Sequence, residues 1–261
     1  MKTVIIPIDF SETSLNAARY TAQMLSRITE THIILFNLYK DEDEVETHVA
    51  YLDSLKKELE WKGENDIECI IEKGDDLVDS VERLAYQKTA TLIVMGITGK
   101  SSLKQAFVGS NTLKIAERDV CPVLIIPAEA KFNGLKNVAL ASDFKDVEEN
   151  TPAGYIIAVL EMFNARLHIV NVDSEIHVAL TEEKQAEKEK MRELFEKFNP
   201  EFYFIGTTDF NETIEQFTTD YAIDLIVTVP HYHSFFGKVF GGSNTKKLVY
   251  NSTVPVMAAY P

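Results

Sequence analysis

The chain has 261 residues, 45% of them hydrophobic and 26% charged, and carries a formal net charge of −15 at pH 7. That length accommodates one large domain or two of about 130 residues, and the composition is ordinary for a globular protein. The acidic balance excludes nucleic acid and anionic membrane as default partners, because both repel such a surface. Cys69 and Cys121 lie far apart without metal-ligand spacing, which predicts reduced thiols used as small apolar side chains in a cytoplasmic protein. Met1-Lys2 runs straight into Val4-Ile5-Ile6-Pro7-Ile8, so no secretory leader is predicted, and no apolar run reaches membrane-spanning length.

Thr3 to Ile8 reads as a buried strand ending at Asp9, followed by a helix capped by Ser11 or Thr13 and running to about Ile28. Thr31 to Leu38 is a near-continuous apolar run, suited to a strand covered on both faces. A helix from about Glu44 to Trp61 puts Val45, Val49, Leu52, Leu55 and Leu59 on one stripe. Ile67 to Ile71 alternates with acidic residues and is expected near a sheet edge. Gly74-Asp75 then turns into a helix carrying Leu77, Val78, Val81, Leu84 and Ala85. Thr91 to Met95 is the fourth strand, a glycine-spaced loop and a helix from Ser110 to about Arg118 follow, and Pro122 opens a fifth strand over Val123 to Ile126. This alternation is the pattern of a doubly wound parallel α/β sheet, a Rossmann-like fold. Ligands of such sheets bind outside the carboxyl ends of the strands, where Asp9, Leu38 and Gly96 converge.

The loop after the fourth strand is the chemically informative stretch. Gly99-Lys100-Ser101 imitates the end of a Walker A motif, but the position that requires its first glycine is Val94, and the match is rejected. What fits is glycine at Gly96 and Gly99, nine further residues, then Gly109-Ser110. A strand giving way to glycines and then to a helix start suits phosphate: the backbone can approach closely, and the helix offers unpaired N–H groups at its positive end.

After a polar linker the pattern starts again. Ser142-Asp143-Phe144 answers Ile8-Asp9-Phe10, and Asn171 answers Asn37, both at an offset of 134 residues. Gly242-Ser243-Asn244-Thr245 repeats Gly109-Ser110-Asn111-Thr112, and Pro255-Val256 answers Pro122-Val123, both at an offset of 133. So steady a register marks an internal repeat. Two five-stranded domains are predicted, over 1–128 and 135–261.

The Gly96, Gly99, Gly109-Ser110 spacing resembles the nucleotide-binding signature of the universal stress protein family, and the whole chain looks like the tandem form of that family. The resemblance implies ATP, with AMP or ADP as alternatives and Mg alongside, held in the N-terminal half. It places Asp9, flanked by Pro7 and Phe10, near the adenosine, together with backbone at Leu38. Met95, the Gly96–Gly99 turn, Lys100, Gly109 and Ser110 would hold ribose and phosphates, with Asn111 and Thr112 extending that cradle. It also implies that Val123–Ile126 and Val254–Ala258 pair antiparallel to join the halves; a homodimer and a protein partner are further expectations. The second half departs from the signature. Val229 and Tyr232 stand where Gly96 and Gly99 stand in the first, and Pro230, Phe235 and Phe236 crowd the same loop, so the second site is expected to be empty or differently occupied.

Blander readings compete at several positions. Asp9 can end a strand and cap the following turn, and Lys100 can be an exposed loop lysine. His231 and His233 could share one face of an extended segment, but the sequence nominates no third zinc ligand. Trp61 reads as packing. The charged stretch Glu182 to Phe198 reads as a solvated helix with a buried stripe of Met191, Leu194, Phe195 and Phe198, and with Glu193 and Lys197 at pairing distance. No base or arginine finger for phosphoryl transfer is evident, since Arg19, Arg27, Arg83 and Arg118 fall on predicted helices. Three readings follow: a regulatory ATP-binding protein with slow hydrolysis at most, a slow ATPase or autophosphorylating protein using Ser101, Ser102 or Ser110, and a nucleotide-free scaffold.

Overall fold

Residues 2–60, 66–97, 105–173, 180–207, 209–229 and 252–261 are described by the computed structural model, with backbone alone at 105–110, 173 and 211. The chain divides into two compact units, Met1–Phe132 and Asn133–Pro261.

In the first unit, β1 (Lys2–Pro7), β2 (Thr31–Tyr39), β3 (Asp66–Lys73), β4 (Leu92–Ile97) and β5 (Val123–Pro127) alternate with α1 (Glu12–Leu25), α2 (Val45–Glu60), α3 (Leu77–Lys88) and α4 (Gln105–Ala116). The strands pair in parallel in the order β3-β2-β1-β4-β5. Ile5, Ile6, Ile33, Ile34, Leu35 and Phe36 are fully buried, which explains the unbroken apolar runs of β1 and β2: helices cover both faces. β3 lies at the edge, as its acidic alternation predicts. Asp66, Glu68 and Glu72 are paired there with His32, with Lys88 and His32, and with Arg83, and charge of this kind blunts an open strand edge against further pairing.

The second unit repeats the plan with β6 (Asn137–Ala141), β7 (Arg166–Asp173), β8 (Glu201–Gly206), β9 (Leu225–Thr228) and β10 (Val256–Ala258). Its parallel order is β8-β7-β6-β9-β10. Its helices are α5 (Val147–Asn150), α6 (Ala153–Phe163), α7 (Glu182–Leu194) and α8 (Phe210–Asp220). No helix among the described residues is long and apolar enough to cross a membrane.

Several boundaries differ from the sequence reading. Gly96 lies within β4, paired with Ile126, rather than in a loop. α4 begins at Gln105, five residues before the expected start at Ser110. Gln105 and Ala106 favour helix, and extending a nucleated helix across Gly109 costs only about 1 kcal/mol relative to alanine. Val49, expected on the buried stripe of α2, is 42% exposed, while Leu52, Leu55 and Leu59 are buried. Of the stripe expected in the charged segment, Met191 and Phe195 are fully buried, while Leu194 and Phe198 are only half-buried. Lys197, however, pairs with Glu161 at 2.5 Å instead of with Glu193. α7 stops at Leu194, and Phe195 leaves helical geometry, which carries Lys197 off the i, i+4 face.

Candidate functional site

The strand order reverses between β1 and β4 in the first unit, so the crevice that such sheets offer to ligands opens at the carboxyl ends of these two strands. Pro7 closes β1 and is buried, Ile8 donates its N–H to the Phe36 carbonyl at 2.7 Å, and Asp9 emerges exposed. Asp9 Oδ1 accepts from Ser11 N–H at 3.0 Å and from Ser11 Oγ at 2.5 Å. Ser11 is the N-cap of α1, its Oγ accepting from Ser14 N–H at 3.3 Å. Asp9 therefore braces the cap through one oxygen, which is the turn-stabilising role weighed from sequence.

The next positions build a wall. Phe10 has φ +61°, in the left-handed region, and its ring packs against His48 at 5.0 Å and edge-on to Tyr51 at 5.5 Å. Asn37, 2% exposed, donates Nδ2–H to the Ile8 carbonyl at 2.8 Å and meets His48 Nδ1 with its Oδ1 at 2.9 Å. Leu38 follows, its backbone in register with Glu72. Sequence reasoning missed His48 and Tyr51. The repeated asparagine was the available signal, since the side chain that satisfies its second polar atom had to come from the neighbouring helix.

On the other side of the crevice, Met95 is 7% exposed and belongs to the core of β4. A Cβ at Gly96 would lie 2.2 Å from the Thr13 carbonyl oxygen and 3.0 Å from the Ser14 nitrogen. Gly96 is thus required by the first turn of α1 seated against β4. This adds a packing role that the sequence reading did not assign to it. Gly99 and Lys100 lie outside the described residues. Gly109 and Ser110 sit inside α4, so the N–H groups without intrahelical partners are those at 105–108. Asn111 is half-buried, and Thr112 is fully buried with an Oγ1 that has no hydrogen-bond partner among the described residues.

Three of the four arginines considered from sequence are tied elsewhere. Arg19 grips Glu58 at 2.8 and 3.0 Å, Arg83 pairs with Glu72, and Arg118 bridges Asp79 at 2.7 Å and Glu82 at 3.2 Å. Among the described residues no group of three His, Cys, Asp or Glu side chains could hold a metal ion; His231 and His233 lie outside them, as do Trp61, Pro230, Tyr232, Phe235, Phe236 and the 242–245 repeat.

The corresponding crevice of the second unit, between β6 and β9, is a cleft lined by Leu140, Ser142, Asp143, Asn150, Thr151 and Val229 among others. Asp143 Oδ1 accepts from Lys145 N–H at 3.2 Å, and its buried Oδ2 has no partner among the described residues. Asn171 donates Nδ2–H to the Ser142 carbonyl at 2.8 Å, repeating Asn37, but its Oδ1 faces Lys184 Nζ at 3.5 Å. Phe144, at φ +55°, is buried against Phe202 and Phe204 instead of lining a rim.

Two parallel, doubly wound α/β units, each with an aspartate at the carboxyl end of its first strand, define a tandem Rossmann-like protein. Comparison with family models gives the rest: the universal stress protein family matches residues 1–127 and again 134–259, and the chain belongs to that family. It is similar in fold to a universal stress protein from Archaeoglobus fulgidus DSM 4304, at 20% identity and a TM-score of 0.77, covering 99% of this chain and 98% of that one. A putative universal stress protein from Pseudomonas aeruginosa UCBPP-PA14 matches at 17% identity and a TM-score of 0.66, over 99% of this chain and 93% of that one. A universal stress protein solved in complex with cAMP matches 49% of this chain and 98% of its own at 26% identity, with a TM-score of 0.42. A comparison with curated proteins finds no match.

Proposed function

We propose that the first unit binds an adenine nucleotide, ATP or its AMP or ADP counterparts, as a regulatory ligand, with slow hydrolysis at most. The observation that carries this reading is the placement of Asp9 just past the carboxyl end of β1 and of Gly96 on β4, at either side of the strand-order reversal. An exposed carboxylate there can accept from the amino or hydroxyl groups of a nucleoside, with Pro7, Phe10 and the Leu38 backbone beside it. Ribose and phosphates are assigned to Gly96, Gly99, Lys100 and the start of α4, with Gly109, Ser110, Asn111 and Thr112 one to two turns further in. The Thr112 hydroxyl fits this reading: it is buried with no partner among the described residues, and leaving such a group unpaired costs about 1–3 kcal/mol, which a ligand oxygen or a bound water would relieve. Mg would accompany the phosphates rather than occupy a site of its own.

Regulation rather than turnover is the better match. Phosphoryl transfer asks for a positioned base and an added cation at the transition state, and Arg19, Arg83 and Arg118 are committed to carboxylates. Protein purified without added nucleotide, denatured and chromatographed, is expected to release adenine nucleotide, and Asp9→Ala to release several-fold less. No nucleotide from the unaltered protein, and no binding on titration with ATP, would leave a scaffold acting through protein contacts. Steady turnover above background that Asp9→Ala abolishes would establish an ATPase instead.

A further inference from the structure

The residue that distinguishes the two crevices most sharply is one that the glycine signature does not contain. Asn37 must present Nδ2 to the Ile8 carbonyl, because a carbonyl only accepts, and the 2.8 Å contact therefore leaves Oδ1 toward His48 as an acceptor. His48 Nδ1 at 2.9 Å must then carry the proton. In the neutral ring this leaves Nε2 as a lone pair, and Nε2 has no hydrogen-bond partner among the described residues. The ring cannot easily turn away: the buried amide holds one edge and Phe10 packs on it at 5.0 Å. Phe10 adjoins Asp9, and Asn37 adjoins Leu38, so the imidazole stands on the rim of the β1–β2 strand ends.

In the second unit the same asparagine makes the same contact to the first strand, but its Oδ1 is met by Lys184. A lysine ammonium has three donors and no acceptor. The two halves thus share a scaffold and present opposite hydrogen-bonding chemistry at the equivalent place.

We infer that His48 is a ligand-binding residue of the first unit, its Nε2 accepting a hydrogen bond from an N–H or O–H donor of the nucleoside. This rests on the nucleotide reading above and deepens it, since it names the part of the ligand recognised: a purine amino group or a ribose hydroxyl. Neither Asp9 nor any phosphate contact is needed for it.

The test is calorimetric titration of the full chain with ATP and with inosine, 2′-deoxy- and 3′-deoxyadenosine triphosphates, on the unaltered protein and on His48→Phe, which keeps an aromatic ring beside Phe10 and removes the acceptor. The variant is expected to bind ATP about tenfold more weakly. One analogue should lose a similar factor on the unaltered protein and nothing further on the variant, and which one it is separates the amino group from the hydroxyls. Should the variant fail to fold, the histidine ¹⁵N spectrum of the unaltered protein decides, with the resonance assigned through His48→Gln. Saturating ATP should move the unprotonated Nε2 signal of His48. Unchanged ATP affinity in a folded His48→Phe, or an unmoved Nε2 resonance, would overturn the role of His48 while leaving nucleotide binding intact. Failure of the unaltered protein to bind any of the nucleotides would overturn both.

Discussion

At Gly96 a single hydrogen in place of a methyl group lets a helix lie on a strand. The Thr13 carbonyl would stand 2.2 Å from an added Cβ, and that oxygen belongs to backbone in the first turn of α1, so no side-chain adjustment relieves the clash. Gly96→Ala is accordingly expected to lower stability by at least about 2 kcal/mol, measured by urea or thermal unfolding, whether or not nucleotide is present. An unchanged midpoint would show that α1 can shift freely. Glu68 illustrates a different residue-scale effect. Lys88, and after it His32, hold its carboxyl below the usual carboxylate range through hydrogen bonds. Because its folded pKa lies below the unfolded value of about 4.3, the stabilisation is fully present above that pH and is lost as pH falls through the folded value. Glu68→Gln should therefore flatten the pH dependence of the unfolding midpoint below about pH 4.3, as read by thermal unfolding across that range. The thiols belong at this scale too. Burial pushes Cys121 up to about 12, and Cys69 is raised for the same reason while remaining only partly covered, so neither presents a reactive thiolate near neutral pH.

Among the elements, the first helix of each unit shows how a local break changes a site. α1 runs unbroken from Glu12 to Leu25, with Ser11 as its cap. In the second unit Pro152 forces Thr151 into extended backbone, so the helix is divided into α5 and α6. Val229, in the position of Gly96, is accommodated there at 8% exposure beside Asn150 and Thr151. Glycine on β4 and proline after α5 are thus two settlements of one packing problem. α3 depends on its start: Asp76 Oδ1 accepts from Val78 N–H at 2.8 Å and from Asp79 N–H at 3.0 Å. Asp76→Ala is expected to cost about 1 kcal/mol, read as a lowered unfolding midpoint, and Asp76→Ser should restore most of it. α4 is the element least well anticipated. Its earlier start follows from helix propagation, whereas the sequence reading began the helix at Ser110.

For the whole molecule, the repeat yields two scaffolds with different chemistry, and a nucleotide stoichiometry follows from that difference. The nucleotide reading predicts one adenine nucleotide per chain, measured by calorimetry or by quantifying released ligand, and Lys184→His is not expected to raise it, because Val229 and Phe144 still differ from Gly96 and Phe10. Two equivalents would mean that the second crevice is no less suitable than the first.

The doubly wound parallel plan, the edge position of β3, the two-unit repeat and the burial of Met191 and Phe195 were all legible in the sequence, because alternation, apolar runs and a 133–134-residue register are local or periodic signals. Asp9 and Asn37 could be located by their place at strand ends. What those side chains touch was decided by tertiary structure alone. Gly96 against Thr13, His48 against Asn37 and Lys197 against Glu161 join residues separated by 83, 11 and 36 positions, and no periodicity encodes such meetings. A chain writes its elements in the spacing of its apolar residues, but the partner of a polar atom is set only when helices settle on the sheet.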